Sequence, residues 1–217
     1  MESWYPTLTV RNATLIAAIF PPPKKDMPVV PDYPYTCIPK STDPDRGIRF
    51  PIRHVWKPNA PIGKKPLFVI GLHASTAYEK APDRTITRAR AIAEKNGFTG
   101  FVMFNLCPLR AENISELREI TDQKLLKLVE PNIEAIQKEL DRITNPVFWA
   151  GWGNNIKKRA CFIECLKKIA RLLAPKNPIW KRFGTFTEKW HPRHPARVRY
   201  NFEFEEFDIE EYIETLR

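Results

Sequence analysis

The chain has 217 residues, 43% hydrophobic and 12% aromatic, which excludes a disordered polymer and is enough for one domain with a real core. No apolar run reaches bilayer-spanning length, and the start MESWYPTLTV lacks the charged region of a signal peptide, so the expectation is a soluble, cytoplasmic protein with no membrane partner. Net charge is +10, and its uneven distribution says more than its size. The last seventeen residues, NFEFEEFDIEEYIETLR, hold seven acids and one Arg, so the rest of the chain carries +16. Between Lys157 and Arg199, thirteen Lys or Arg stand against only Glu164 and Glu188. Such a field draws a polyanion, nucleic acid first; a solvated basic face is the plain alternative.

Residues 1–45 are proline-rich, and FPPPKKDMPVVPDYPYTCIP is too interrupted for long helices or central strands. They read as an N-terminal extension that wraps the domain through Trp4, Tyr5, Tyr33 and Tyr35, or as a mobile arm. From Ile48 the pattern becomes regular. LFVIGL (67–72), GFVMFNL (100–106) and PVFWAGW (146–152) are short continuous apolar runs, as expected of strands buried on both faces.

Helical stretches lie between them. RTITRARAIAEKNG (84–97) has Asp83 as an N-cap and Gly97 as a C-cap. TDQKLLKLVEPNIEAIQKELDRI is helical with a break at Pro131, and NNIKKRACFIECLKKIARLLA (154–174) is amphipathic. A further strand and a basic loop follow in IWKRFGTFTEKWHPRHPARVRYNF. Residues 201–217 form an acidic tail, expected to pack as a helix with Phe202, Phe204, Phe207 and Tyr212 inward. The alternation predicts an α/β fold over residues 46–200, a three-layer sandwich around a short, mainly parallel central sheet.

Cys37, Cys107, Cys161 and Cys165 are too few and too scattered for a disulfide scaffold. Cys161 and Cys165 share a helix face, as metal ligands would, but no nearby Cys or His completes a zinc set. They are read as core residues, with no metal and no other cofactor. No obligate protein partner is evident.

Chemistry in such a fold belongs at the carboxyl ends of the strands. Those ends are HASTAY, NLCPLR and GWGNN, which the late loop HPRHP could join. They gather His73, Ser75, Thr76, Asn105, Asn154, His191 and His194 on one rim, close to the basic helix start and the Arg-rich loop.

Taken together, LHASTAYEKAPDRTITRARAIAEKNGFTGFVMFNLCPLRA, then AGWG, then HPRHP resembles a microbial and phage family of unknown function. That family's motifs read L-N-P-S-T-A-D, D-x-T before a helix, V-N-L-x-x-L-R-A, W-G and H-P-x-H-P. The same order of motifs is similar to the uracil-DNA glycosylase superfamily. That second resemblance implies a uracil-DNA-glycosylase-like sandwich and an enzyme that hydrolyses an N-glycosidic bond in DNA without a cofactor. Such a reaction builds positive charge on the sugar and negative charge on the base, so it needs donors at the base, a carboxylate near the sugar and a placed water.

Carried over residue by residue, the resemblance implies that Asn105 reads the base edge. His194, or His191 in its place, would donate to the base carbonyl. Asp83 would orient water or stabilise the sugar cation, and Phe104 or Trp152 would stack on the base. Ser75 and Thr76, with the backbone of their turn, would hold phosphate or water, and Asn154, Lys157, Arg193 and Arg197 on the rim would hold phosphate. Each has a plainer reading: strand-end turn for Asn105, helix cap for Asp83, surface histidines for His191 and His194, core for Trp149 and Trp152.

The departures shape the expectation. His73, Ala74 and Tyr78 stand where the family motif has Asn, Pro and Asp. His73 would then replace the Asn and Asp83 the carboxylate, or catalysis is lost and a non-catalytic nucleic-acid-binding module remains. No Tyr walls off a 5-substituent, so a bulky 5-modified pyrimidine of phage DNA is the expected substrate, in a defence role. A nucleoside or nucleotide hydrolase is the third reading, and it would not need the basic stretch.

Overall fold

The computed structural model describes residues 36–37, 51–55, 66–75, 77, 82–111 and 113–216. Most of the proline-rich segment, with Trp4, Tyr5, Tyr33 and Tyr35, lies outside them, as do Thr76 and Tyr78. The described residues form a seven-stranded sheet of β1 (Thr36–Cys37), β2 (Ile52–Val55), β3 (Leu67–Ala74), β4 (Gly100–Arg110), β5 (Val147–Ala150), β6 (Ile179–Phe183) and β7 (Phe204–Glu206), in the order β1-β2-β4-β3-β5-β6-β7. The four central strands, β4-β3-β5-β6, are parallel to one another. Both flanks are antiparallel. The sheet is therefore mixed: the expected parallel order holds at its centre only.

Alternation along the strands builds two cores. Phe68, Ile70, Leu72, Val102, Phe104 and Phe148 face one side, whereas Leu67, Val69, Phe101, Met103 and Trp149 face the other. Both sets are buried, which is why the three runs look uniformly apolar in sequence. Helix α1 (Arg84–Lys95) covers the second face through Ile86, Ala89, Ile92 and Ala93. Helices α2 (Asp122–Leu126), α3 (Val129–Leu140), α4 (Ala160–Leu173) and α5 (Ile209–Glu214) cover the first. The chain steps from β3 to β4 under α1, then back across β3 to β5 under α2 and α3. Reversing the direction of travel and changing face together keeps the crossovers of one hand.

Local chemistry sets the helix ends. Asp83 caps α1 by accepting from the Ile86 N–H at 2.8 Å. At the other end, Gly97 takes φ 77°, its N–H reaching Glu94 O and the Phe98 N–H reaching Ala93 O, both at 3.1 Å. This is a Schellman closure, which glycine adopts without Cβ strain. The break expected at Pro131 falls earlier, between Leu126 and Val129. Pro131 sits in the first turn of α3, where its missing N–H has no intrahelical partner to lose.

The stretch 154–174 is also divided. A 3-10 turn, Asn154–Lys158, precedes α4, and Arg159 between them is extended. The Arg159 guanidinium donates to Leu117 O at 2.7 Å and Ile120 O at 2.5 Å and pairs with Asp122. It ties the start of α4 to the loop before α2. The acidic tail supplies both an edge strand, β7, and a helix, α5. Phe207, Ile209, Tyr212 and Leu216 are buried in the first core, while Phe202 and Phe204 lie half-buried against the second.

Candidate functional site

In the parallel centre of the sheet, strand order reverses between β3 and β5. Open α/β sheets place their ligand crevices outside the carboxyl ends of the strands at such a point. The β3 end carries His73 and Ser75, the β5 end runs into Gly151, Trp152 and Gly153, and α1 begins nearby at Asp83. The loop 191–197 closes over this point. A Cβ on Gly151 would lie 3.1 Å from Pro195 Cδ, and one on Gly153 3.0 Å from His194 Cβ. Two glycines are thus needed for the loop to lie directly on the strand end, and Gly153 also holds φ 72°.

His194 caps the short 3-10 turn Pro195–Arg197, its Nδ1 accepting from the Ala196 N–H at 3.3 Å. Burial pushes its pKa down to about 4, the neighbouring His73 and Arg197 push the same way, and Asp83 opposes them. At neutral pH the ring is uncharged. With Nδ1 occupied as an acceptor, the remaining proton sits on Nε2, so the ring presents an N–H donor. His73 is set the other way round. Its Nδ1 lies 3.1 Å from Ala74 O; a carbonyl only accepts, so Nδ1 carries a proton and donates it there. The two rings thus use Nδ1 in opposite senses, His194 as acceptor and His73 as donor, with the Asp83 carboxylate near His194.

Asn105 lies on the same face of the sheet. Its register partner in β3 is Gly71, and a Cβ there would stand 2.6 Å from Asn105 Oδ1. Both polar atoms of this amide are buried, and neither has a hydrogen-bond partner among the described residues. A buried orphan amide costs about 1–3 kcal/mol per unpaired group. The side chain is sealed because β4 does not end at Asn105. The strand continues to Arg110, absorbing Pro108 in an irregularity where His73 pairs with Cys107 but Ala74 with Arg110. The expected strand-end position for Asn105 is thereby corrected to mid-strand. Its backbone carbonyl accepts from Asn132 Nδ2 at 2.8 Å, a contact not foreseen from sequence. The signal was there: Asn132 is the polar member of the buried stripe Val129, Asn132, Ile136, Leu140 on α3.

The other expected residues divide by location. His191 sits in the first core, its Nδ1 2.8 Å from Tyr212 Oη, which in turn accepts from Trp152 Nε1 at 3.0 Å. Burial lowers its pKa, helped by the charges of Lys157 and Lys189. The two histidines of HPRHP therefore serve opposite faces of the sheet, and only His194 joins His73 and Asp83. Phe104, stacked on Phe68 at 6.2 Å, and Trp152, 1% exposed, belong to the first core and offer no stacking face to the cluster. Arg193 is spent inside the protein, on Thr185 O at 2.9 Å and Phe186 O at 3.1 Å. Asn154, exposed, accepts from Thr187 Oγ1 at 2.5 Å. Lys157 and Arg197 are exposed at the rim and Ser75 is half-buried.

Burial pushes the thiols of Cys107 and Cys161 up to about 12, and that of Cys165 upward as well, so all three stay protonated. Among the described residues no group of three His, Cys, Asp or Glu is placed to hold a metal, and no helix is long and apolar enough to cross a membrane.

Comparison with known proteins gives one finding. No curated protein and no solved structure matches this chain. A family model described as "Protein of unknown function (DUF1643)" matches residues 49–196, from just before β2 to the end of the loop that carries His194. The match covers more than half of the chain, which belongs to that family.

Proposed function

We propose that the protein is a DNA glycosylase that hydrolyses the N-glycosidic bond of a 5-modified pyrimidine, leaving an abasic site. The observation that carries this reading is the pair of histidines beside Asp83 whose Nδ1 atoms take opposite hydrogen-bond roles, accepting in His194 and donating in His73. Breaking the bond needs a hydrogen-bond donor at the departing base and an acceptor for a proton of the attacking water. The His194 Nε2–H fits the first role and His73 Nε2, free of a proton when that ring is neutral, the second. Asp83 supplies negative charge toward the sugar as it becomes cationic, while one of its oxygens caps α1. The orphan amide of Asn105 fits base reading, since a base edge would satisfy both its polar atoms. The motif order similar to uracil-DNA glycosylases supports the same reading, and the exposed rim cations Lys157 and Arg197 suit phosphate.

A second reading, a nucleic-acid-binding module without chemistry, is favoured by one observation. Asn105 is fully buried, so base reading requires the site to open first. An abasic-site assay separates the two. The protein is incubated with DNA containing uracil, 5-hydroxymethylcytosine, glucosylated 5-hydroxymethylcytosine or only the four ordinary bases, then treated with alkali and sized. Cleavage confined to one 5-modified base is the expected result; cleavage of uracil DNA alone overturns the substrate assignment. No cleavage with salt-sensitive binding intact replaces the enzyme by the binding module.

A further inference from the structure

Trp190 is 75% exposed, the most exposed of the large hydrophobic residues described. A lone surface hydrophobe needs no explanation, but this one comes with three further features. Its backbone is left-handed at φ 58°, a conformation that a bulky residue rarely adopts. That conformation is imposed by a tight turn: the Trp190 N–H donates to Thr187 O, the Thr187 N–H to His191 O, both at 2.9 Å, and the His191 N–H to Thr187 Oγ1 at 3.2 Å. The ring stands 6.0 Å from Phe186 at 44°, beside a cavity of about 400 Å³ that Thr185, Thr187 and Glu188 also line. The loop wall is rigid, with Arg182 over the Phe186 ring at 4.5 Å and Arg193 bonded to Thr185 and Phe186.

Strain held in place by an over-determined turn, presenting an indole to solvent, calls for a ligand with a flat face. The surrounding charge selects which. Lys157 and Lys189 are exposed, and both lower the pKa of the neighbouring His191 by their charge. We infer that the turn 187–190 is a stacking platform for an unpaired nucleobase of single-stranded nucleic acid, with Trp190 as its face and Lys157 and Lys189 on the flanking phosphates. Glu188 keeps phosphate out of the cavity and suits a base edge, since carboxylates accept from exocyclic amines. The platform rests on the nucleic-acid part of the proposed function and does not depend on base excision.

The test is fluorescence anisotropy of the full chain with a labelled single-stranded 15-mer oligodeoxycytidine, titrated at several salt concentrations. Trp190→Gly is the informative variant, because glycine takes the left-handed backbone freely and the turn survives the loss of the ring. Binding about tenfold weaker, with an unchanged slope of log K against log salt, is expected, because stacking on one aromatic is lost and no phosphate contact is. Trp190→Phe, which keeps a ring, should bind within about threefold of wild type on the same argument. Equal affinity of Trp190→Gly and wild type overturns the platform and leaves the glycosylase reading standing. Failure of the wild type to bind any oligonucleotide overturns both, and capture of a protein by this face would then take its place.

Discussion

His194, given the donor role in the proposed reaction, also bears on the stability of the fold. Its folded pKa, about 4, lies below the ordinary value of 6.5, so below pH 6.5 the unfolded chain binds a proton that the folded chain refuses. Stability from this group is full above pH 6.5 and falls as pH drops toward 4, by up to about 3 kcal/mol. His191, lowered by burial as well, adds a loss of the same sign. His194→Asn retains an acceptor for the Ala196 N–H but no titration and no Nε2–H donor. Denaturant titrations at pH 4.5 and 7.5 should show a smaller difference for the variant than for wild type, while base excision falls at least 100-fold. Asn105 makes the opposite demand. Replacing a well-bonded buried Asn by Ala destabilises, but here neither polar atom has a partner among the described residues. Asn105→Ala is expected to be as stable as wild type or more so by about 1 kcal/mol, with excision lost; a fall in Tm of several degrees would show that the amide is part of the structure's own bonding.

Between elements, the closest fit is that of β3 against β4 at Gly71. Gly71→Ala would set a methyl group 2.6 Å from Asn105 Oδ1 and 2.7 Å from Met103 Cε, which costs about 1–3 kcal/mol in overpacking. Met103 ends in a flexible methyl that can move, so adding Asn105→Ala should recover most of that loss, a non-additive pair by thermal melts. On the opposite face, α5 is fastened by the chain Trp152 Nε1–H to Tyr212 Oη to His191 Nδ1. Tyr212→Phe strands a buried indole N–H and a ring nitrogen, and chemical denaturation should register a loss of about 1–3 kcal/mol. The elements themselves were legible where composition decided them: β3, β4 and β5 as doubly buried runs, α1 through its cap and its glycine. Pro131 misled, because what a proline permits depends on its exact position, and β4 runs past the expected end at Leu106. Pro131 falls in a first helical turn and Pro108 in a strand irregularity, and neither ends its element. The separation of His191 from His194 was not legible at all, since it depends on Pro195 and His194 lying on Gly151 and Gly153, contacts between segments some forty residues apart.

At the scale of the whole molecule, sequence shows how much positive charge there is but not how much of it is available. Of the thirteen Lys and Arg between Lys157 and Arg199, six are engaged within the protein. Arg159, Arg182 and Arg193 are bonded into loops and ion pairs, Lys167 and Lys168 pair with Glu164 and Glu130, and Lys176 donates to Leu140 O. Those groups have partners to lose and contribute little to an incoming polyanion. Of the rest, Lys157, Lys158, Lys189 and Arg197 are exposed on the rim around β5 and the late loop. Each phosphate neutralised on a single strand contributes about 0.7 to the slope of log K against log salt. Four rim cations therefore predict a slope near −3, whereas all thirteen would give about −9. Replacing Lys157 and Lys189 together by Ala should bring the slope to about −1.5, while replacing Lys167 and Lys168 on the far helix should leave it unchanged. A slope that responds equally to both pairs would mean that the field of the whole basic segment, and not the rim, holds the strand.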